Sequence, residues 1–247
     1  MAKTNFKIWR GDANEGGFIE YSTEVSEGMV VLDAVHQVQA ESANDLACRW
    51  NCKAGKCGSC SAEVNGVPKL MCMTRLNDLP LEQGVTIQPM KTIPVIRDLV
   101  CDVSWNYRVK KKIKPFKPRE PDNEDGTWNM NQEDIDRVQE FRKCIECFLC
   151  QDVCHVLREH QLHDEFIGPR ALVYTAALEM HPLDTLDRLE DLKKKDGIGY
   201  CNITKCCTHV CPEEITITDN AIIPLKERVV DRFYDPLARL LKKLFGS

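Results

Sequence analysis

Eleven of the fourteen cysteines fall into three runs whose residue type and spacing suit one chemistry, the holding of iron through thiolate sulfur. Cys52, Cys57 and Cys60 stand in a C-x4-C-x2-C frame, and Cys72 follows. This is the plant-type spacing of a [2Fe-2S] cluster, in which a compact loop brings four thiolates to two irons. Gly55 and Gly58 lie inside the loop, where a backbone running close to cluster sulfides leaves no room for a Cβ. A zinc site would more often show two C-x2-C pairs separated by a longer spacer. Cys48 and Cys101 have no place in the frame and read as buried thiols.

In the second half, Cys144, Cys147, Cys150 and Cys154 form the C-x2-C-x2-C-x3-C run of bacterial ferredoxins, whose fourth cysteine serves a different cluster from the first three. The run at Cys201, Cys207, Cys211 and Pro212 has the same frame, with Thr204 where the middle cysteine would stand. By the crossing rule Cys144, Cys147 and Cys150 with Cys211 hold a [4Fe-4S] cluster, while Cys154, Cys201 and Cys207 supply three thiolates, which suits [3Fe-4S]. Cys206 is out of phase with this frame and reads as a spare thiol, although a thiolate so near could hold a fourth iron. His155 and His209 lie beside ligands and read as neighbours of the clusters, and His160 and His163, on an expected helix, as surface residues. Each cluster with its thiolates adds a charge of about −2. Arg49, Lys53 and Lys56 flank the first run, and Arg142, Lys143 and Lys205 the others, so cations stand where that charge would be.

These runs need two kinds of scaffold. Residues 1–104 read as an α+β unit: Phe6 and Ile8 alternate with polar neighbours, Phe18 to Tyr21 does so after Gly16-Gly17, and the two suggest an antiparallel hairpin. Gly28 to Glu41 has helical spacing through Val31, Leu32, Val35 and Val38. Ala62 to Leu70 resembles two strands around Asn65-Gly66, and Val85 to Gln88 a final strand. Residues 105–130 read as a basic linker: from Arg108 to Arg119 seven of twelve residues are basic, and Pro115, Pro118 and Pro121 favour an extended, solvated course. Residues 131–247 read as all-helical, with helices over Gln132 to Arg142, Arg170 to Met180 and Thr185 to Lys194. An amphipathic basic helix is expected from Pro236 to Phe245.

Composition narrows the function. A chain of 247 residues, 43% hydrophobic and 29% charged, is expected to fold as a soluble protein without covalent staples. No stretch reaches the roughly 18 apolar residues of a membrane span, and the N-terminus lacks the apolar core of a secretory signal. With 33 Lys and Arg against 38 Asp and Glu, a formal charge of −5 argues against a nucleic-acid partner. The absence of G-x-G-x-x-G means that a dinucleotide or flavin would sit on another chain.

CKAGKCGSC (52–60) with Cys72, CIECFLCQDVC (144–154) and CNITKCCTHVCP (201–212), in this order, give the chain a resemblance to the iron-sulfur subunits of succinate dehydrogenase and fumarate reductase, extending from about Lys7 to about Arg228. The resemblance implies a β-grasp, plant-type ferredoxin-like domain followed by a helical ferredoxin domain. It implies an FAD-containing flavoprotein partner, a membrane-anchor partner with a quinone at its interface, and electron transfer through [2Fe-2S], [4Fe-4S] and [3Fe-4S] in the respiratory chain and tricarboxylic acid cycle. With no leader sequence, it implies a bacterial-type location on the cytoplasmic face of the cell membrane. Where relatives commonly carry Pro or Gly after the cysteine matching Cys154, this chain has His155, and Asn202 replaces a frequent histidine after Cys201. Their positions put His155 and Asn202 nearest the quinone. The alternatives are a quinol:fumarate reductase, another flavin-dependent dehydrogenase, and, from a different class, a zinc-stabilised interaction module.

Overall fold

The computed structural model describes residues 2–236; the helix expected from Pro236 to Phe245 lies outside them beyond Pro236. Alternation makes the first hairpin. Strand β1 (Ala2–Gly11) pairs antiparallel with β2 (Gly16–Val25) in a register running from Ala2↔Val25 to Gly11↔Gly16. Phe6 and Ile8 are buried, with Asn5 and Lys7 facing out. Gly16-Gly17 opens the second strand, and the reversal itself is an Asx turn, Asn14 N–H donating to Asp12 Oδ1 at 2.8 Å. Helix α1 (Val31–Glu41) buries Val31, Leu32, Val35 and Val38. It starts three residues after Gly28 because Val30 stays extended, with its N–H donating to Asp33 Oδ2 at 3.1 Å.

Strands β3 (Ser61–Val64) and β4 (Val67–Leu70) close around Asn65 and Gly66, both at positive φ, as an Asn-Gly hairpin requires. Strand β5 (Val85–Gln88) lies parallel to β1 and antiparallel to β3, giving a five-stranded mixed sheet in the order β2-β1-β5-β3-β4. The apolar face of α1 shares one core with Phe6, Ile8 and Ile87, and this arrangement is the β-grasp. A short pair, β6 (Val95–Arg97) and β7 (Val100–Cys101), follows without a clear sequence signal.

The chain then becomes helical: α2 (Ser104–Lys112), α3 (Gln132–Gln139), α4 (Leu149–Asp152), α5 (His155–Arg158), α6 (Gly168–Glu179), α7 (Leu189–Lys194), α8 (Cys206–His209) and α9 (Ile223–Phe233). A π-helical turn over Ile217–Ile222 leads into α9. Two compact units result. One comprises residues 1–105, 145–153 and 210–213, and the other residues 106–144, 154–209 and 214–247. Helix α4 therefore counts with the sheet, and Phe148 and Leu149 enter the β-grasp core.

Three local expectations are corrected. The basic run is helical as far as Lys112, because Val109 is buried and Lys110 Nζ sits 5.1 Å from the centre of the Tyr174 ring. Beyond it the chain is extended but not a free solvated connector: Arg119 N–H donates to Leu183 O at 2.8 Å and Thr185 N–H to Lys117 O at 2.9 Å. Arg188, 1% exposed, donates to Lys114 O at 3.0 Å, to Pro115 O at 2.9 Å and to Asp184 Oδ2 at 2.8 Å. These bonds hold residues 183–188 out of the expected helix, which begins only at Leu189. His160 and His163 lie beyond the end of α5 and are not helical. Among the described residues no helix is long and apolar enough to cross a membrane.

Candidate iron-sulfur sites

The loop bearing the first cysteine run is curled by left-handed residues: Lys53 has φ +53°, and Gly55 and Gly58 have φ +67°. This curl aims backbone donors at sulfur. Ala54 N–H and Lys56 N–H donate to Cys52 Sγ at 3.4 and 3.3 Å. The Cys57 thiol is within hydrogen-bond reach of Cys52, and that of Cys60 within reach of Cys72. Burial works to raise the Cys57 thiol, but hydrogen bonds from Ser59 and Cys52 outweigh it and bring it down to about 6. Burial carries Cys60 the other way, up to about 12. A thiol raised in this way gives up its proton when iron replaces it. Cys48 and Cys101 are pushed up by burial to about 12 and about 11 and pack in or against the sheet core.

The two later runs share one backbone path. Counting from the first cysteine of each, the second and fourth residues on are left-handed: Glu146 and Phe148 at φ +56° and +63°, Ile203 and Lys205 both at +62°. Each path then enters a four-residue helix with a cysteine second, Cys150 in α4 and Cys207 in α8. Non-glycine residues adopt such φ values only where the surroundings enforce them. By this correspondence Thr204 matches Cys147, and Cys206 matches Leu149, whose side chain enters the β-grasp core.

Cys147 and Cys150 are buried and belong, with Cys211, to the sheet-bearing unit, while Cys144 belongs to the helical one. Cys154, Cys201, Cys206 and Cys207 gather in the helical unit closely enough for their charges to interact. Burial holds Cys154 up at about 11 and raises Cys207 as well. Thr204 Oγ1 lies 2.9 Å from Cys206 Sγ. His155 is the first residue of α5, its ring centre 6.3 Å from that of His160, and Asn202 is exposed. Among the basic residues noted in sequence, Lys56 is paired with Glu213 at 3.0 Å and Lys205 with Asp219 at 2.7 Å.

The donor chemistry and the curled loops fit thiolate-bound clusters. Among the described residues no group of three or more His, Cys, Asp or Glu side chains is arranged to hold a metal ion. Sequence reasoning missed two hydroxyls that bond within the cysteine loops. Ser61 Oγ lies 2.8 Å from Gly58 O and 2.9 Å from Cys147 O, its single proton shared between the two carbonyls, and its place directly after Cys60 was the available signal. Thr218 Oγ1 lies 3.4 Å from Cys207 Sγ, and no spacing rule reaches it.

Sheet, helices and thiolate frames together define an electron-transfer protein of the iron-sulfur class. Residues 5–107 match the model of the 2Fe-2S iron-sulfur cluster binding domain, and residues 140–215 that of the 4Fe-4S dicluster domain. The fumarate reductase iron-sulfur subunit of Mycobacterium tuberculosis is 33% identical over 202 residues, 80% of each chain. The succinate dehydrogenase iron-sulfur subunit of Paracoccus denitrificans is 28% identical over 236 residues, 94% of this chain and 89% of that one. A chain of the Mycobacterium smegmatis Sdh1 complex in the apo form superposes with a TM-score of 0.91 at 56% identity, covering 95% of this chain and 98% of that one. The chain belongs to the family of iron-sulfur subunits of succinate dehydrogenase and fumarate reductase. It is an electron-transfer component of a redox complex of that type.

Proposed function

We infer that this chain carries electrons between the FAD of a flavoprotein subunit and a quinone at a membrane-anchor subunit, as part of a membrane-bound succinate:quinone oxidoreductase. Cys52, Cys57, Cys60 and Cys72 would hold [2Fe-2S]; Cys144, Cys147, Cys150 and Cys211 would hold [4Fe-4S]; Cys154, Cys201 and Cys207 would hold [3Fe-4S]. When bound, these groups supply one-electron carriers in series, which convert a two-electron donor into single-electron steps. The protein's own part is to supply thiolates, to aim backbone N–H groups at the Cys52 sulfur and to bury Cys60, Cys72, Cys147, Cys150, Cys154 and Cys207. Residues 1–104 serve as the [2Fe-2S] domain, 105–130 as the linker and 131–247 as the domain of the other two clusters, with His155 and Asn202 beside the quinone. The subunit would lie on the cytoplasmic face of the cell membrane, held there by the anchor.

The observation that carries this reading is the shared backbone path of residues 144–150 and 201–207, which puts Thr204 in the place of Cys147. EPR of the air-oxidised protein, with total iron, tests it, because oxidised [3Fe-4S] is paramagnetic while oxidised [2Fe-2S] and [4Fe-4S] are silent. The expected result is a signal near one spin per chain with about nine irons. Silence with about ten irons overturns the three-iron assignment, and silence with zinc overturns the electron-transfer reading altogether. A second reading, quinol:fumarate reduction, is supported by the fumarate reductase name of the Mycobacterium tuberculosis relative. Rates of succinate-dependent quinone reduction and quinol-dependent fumarate reduction by the purified complex separate the two.

A further inference from the structure

Thr218 sits in the π-helical turn Ile217–Ile222 with no exposed surface. Its backbone N–H donates to Thr208 Oγ1 at 3.0 Å, the Thr208 hydroxyl donates to Thr218 Oγ1 at 3.1 Å, and Thr218 Oγ1 lies 3.4 Å from Cys207 Sγ. Proton counting orders this chain. A hydroxyl has one proton to give, and Thr208 gives its own to Thr218. A thiolate bound to iron can only accept, so the Thr218 proton points at Cys207 Sγ. The result is a one-way relay from the backbone N–H of Thr218 through two hydroxyls to a ligand sulfur. π-helical turns cost regular hydrogen bonding and concentrate at functional positions. Here the turn brings Thr218, eleven residues after Cys207, onto that sulfur.

We propose that Thr218, fed by Thr208, is a positioning residue that raises the reduction potential of the cluster held by Cys207. A donor to sulfur stabilises the more negative, reduced state over the oxidised one, and hydrogen bonds to sulfur are among the determinants of cluster potential. Cys207 and Thr218 are both buried, and hydrogen bonds strengthen in such surroundings. The proposal rests on Cys207 being a cluster ligand, as argued above.

The test is a redox titration of the purified complex followed by EPR, with iron measured in parallel, on the wild type, Thr218→Val, Thr218→Ser and Thr208→Val. Thr218→Val should keep the full iron complement and the oxidised-state signal while the reduced-to-oxidised ratio at fixed potential falls about three- to tenfold. The upper figure corresponds to about 59 mV for one electron. Thr218→Ser restores the hydroxyl and should restore the potential, and Thr208→Val should shift it the same way by less. An unchanged potential in both valine variants with intact signals overturns the proposal. Should Thr218→Val lose its cluster, Thr208→Val and Thr218→Ser still decide it. A wild-type protein without the paramagnetic oxidised signal, or a Cys207→Ser variant that keeps all its iron, defeats the underlying ligand assignment instead.

Discussion

Gly58 lies directly against Cys147: a β-carbon built on Gly58 would come within 2.6 Å of the Cys147 Cα and 2.9 Å of its backbone nitrogen. Two cysteine loops far apart in sequence thus touch backbone to backbone inside the sheet-bearing unit, and the Ser61 hydroxyl bonds to a carbonyl on each side of the contact. Gly55 has the same φ of +67° but meets only the flexible side chain of Met73, at 3.0 Å. Alanine at either position incurs left-handed strain of about 1–3 kcal/mol, and only at Gly58 does it also collide with backbone. Gly58→Ala should therefore lose iron and lower the unfolding midpoint well beyond Gly55→Ala. Iron per chain and thermal melts of the two variants check this; equal losses would contradict it.

Thr204 holds the position that Cys147 holds in the other run, and its side chain is exposed, so a thiol there meets no steric objection. Thr204→Cys should convert the proposed three-iron site to four irons, raising iron from about nine to about ten per chain and abolishing the oxidised-state EPR signal. Iron and spectrum left as in the wild type would show that the frame does not set the ligand count.

Arg188 is buried with its guanidinium spread over carbonyls of Lys114, Pro115 and Leu186 and over the Asp184 carboxylate. Arg188→Ala strands a buried carboxylate and three carbonyls, and truncating one partner of such a network costs about 3–5 kcal/mol. Arg188→Lys should recover only part of that, since an ammonium cannot fork over the same acceptors. Urea midpoints of the three proteins give the order. A loss under about 1 kcal/mol for alanine would mean that water replaces the guanidinium.

Glu140 supplies the pH-dependent case. Burial pushes its carboxyl up, but hydrogen bonds from Asn220 Nδ2 at 2.6 Å and Thr216 N–H at 2.7 Å outweigh it, leaving the group below its ordinary value. The unfolded chain then binds the proton more tightly than the folded one. The carboxylate's contribution is present in full above the unfolded value of about 4.3 and is lost as pH falls through the lower folded value. Wild type should exceed Glu140→Gln in stability at neutral pH, and the gap should close on acidification through that window. Paired urea titrations across it cancel whatever acid does to both proteins alike, and a gap that widens in acid would reverse the sign.

How far the sequence carries depends on the range of the signal. Alternation at Phe6 and Ile8, the Asn65-Gly66 turn and the 3.6-residue rhythm of Val31, Val35 and Val38 are local, and the sheet and α1 follow from them. The cysteine frames are equally local. The basic stretch at 108–112 misled because charge dominates its composition, while the features that make it helical, a buried Val109 and the Tyr174 ring under Lys110, come from residues distant in sequence. The expected helix start at Thr185 fails for the same reason, since residues 183–188 are bound to the linker. Thr218 and Ser61 show the limit within the sites: motif spacing marks the cysteines, but not the hydroxyls that lie against a cysteine sulfur or bond to the carbonyls of the cysteine loops.

The sheet-bearing unit draws on three separate stretches of chain, 1–105, 145–153 and 210–213. Order of synthesis and order of completion therefore differ. The ribosome makes all five strands and α1 early, yet the seats of Phe148 and Leu149 in their core stay unfilled until much later, and Val210 arrives last of all. A nascent chain halted in the linker carries an open apolar face beside a freshly made cysteine loop, a state that invites oxidation and capture by chaperones. Residues 1–130 expressed alone would inherit the same defect, so fragments of this protein are best cut after 213 rather than at the linker.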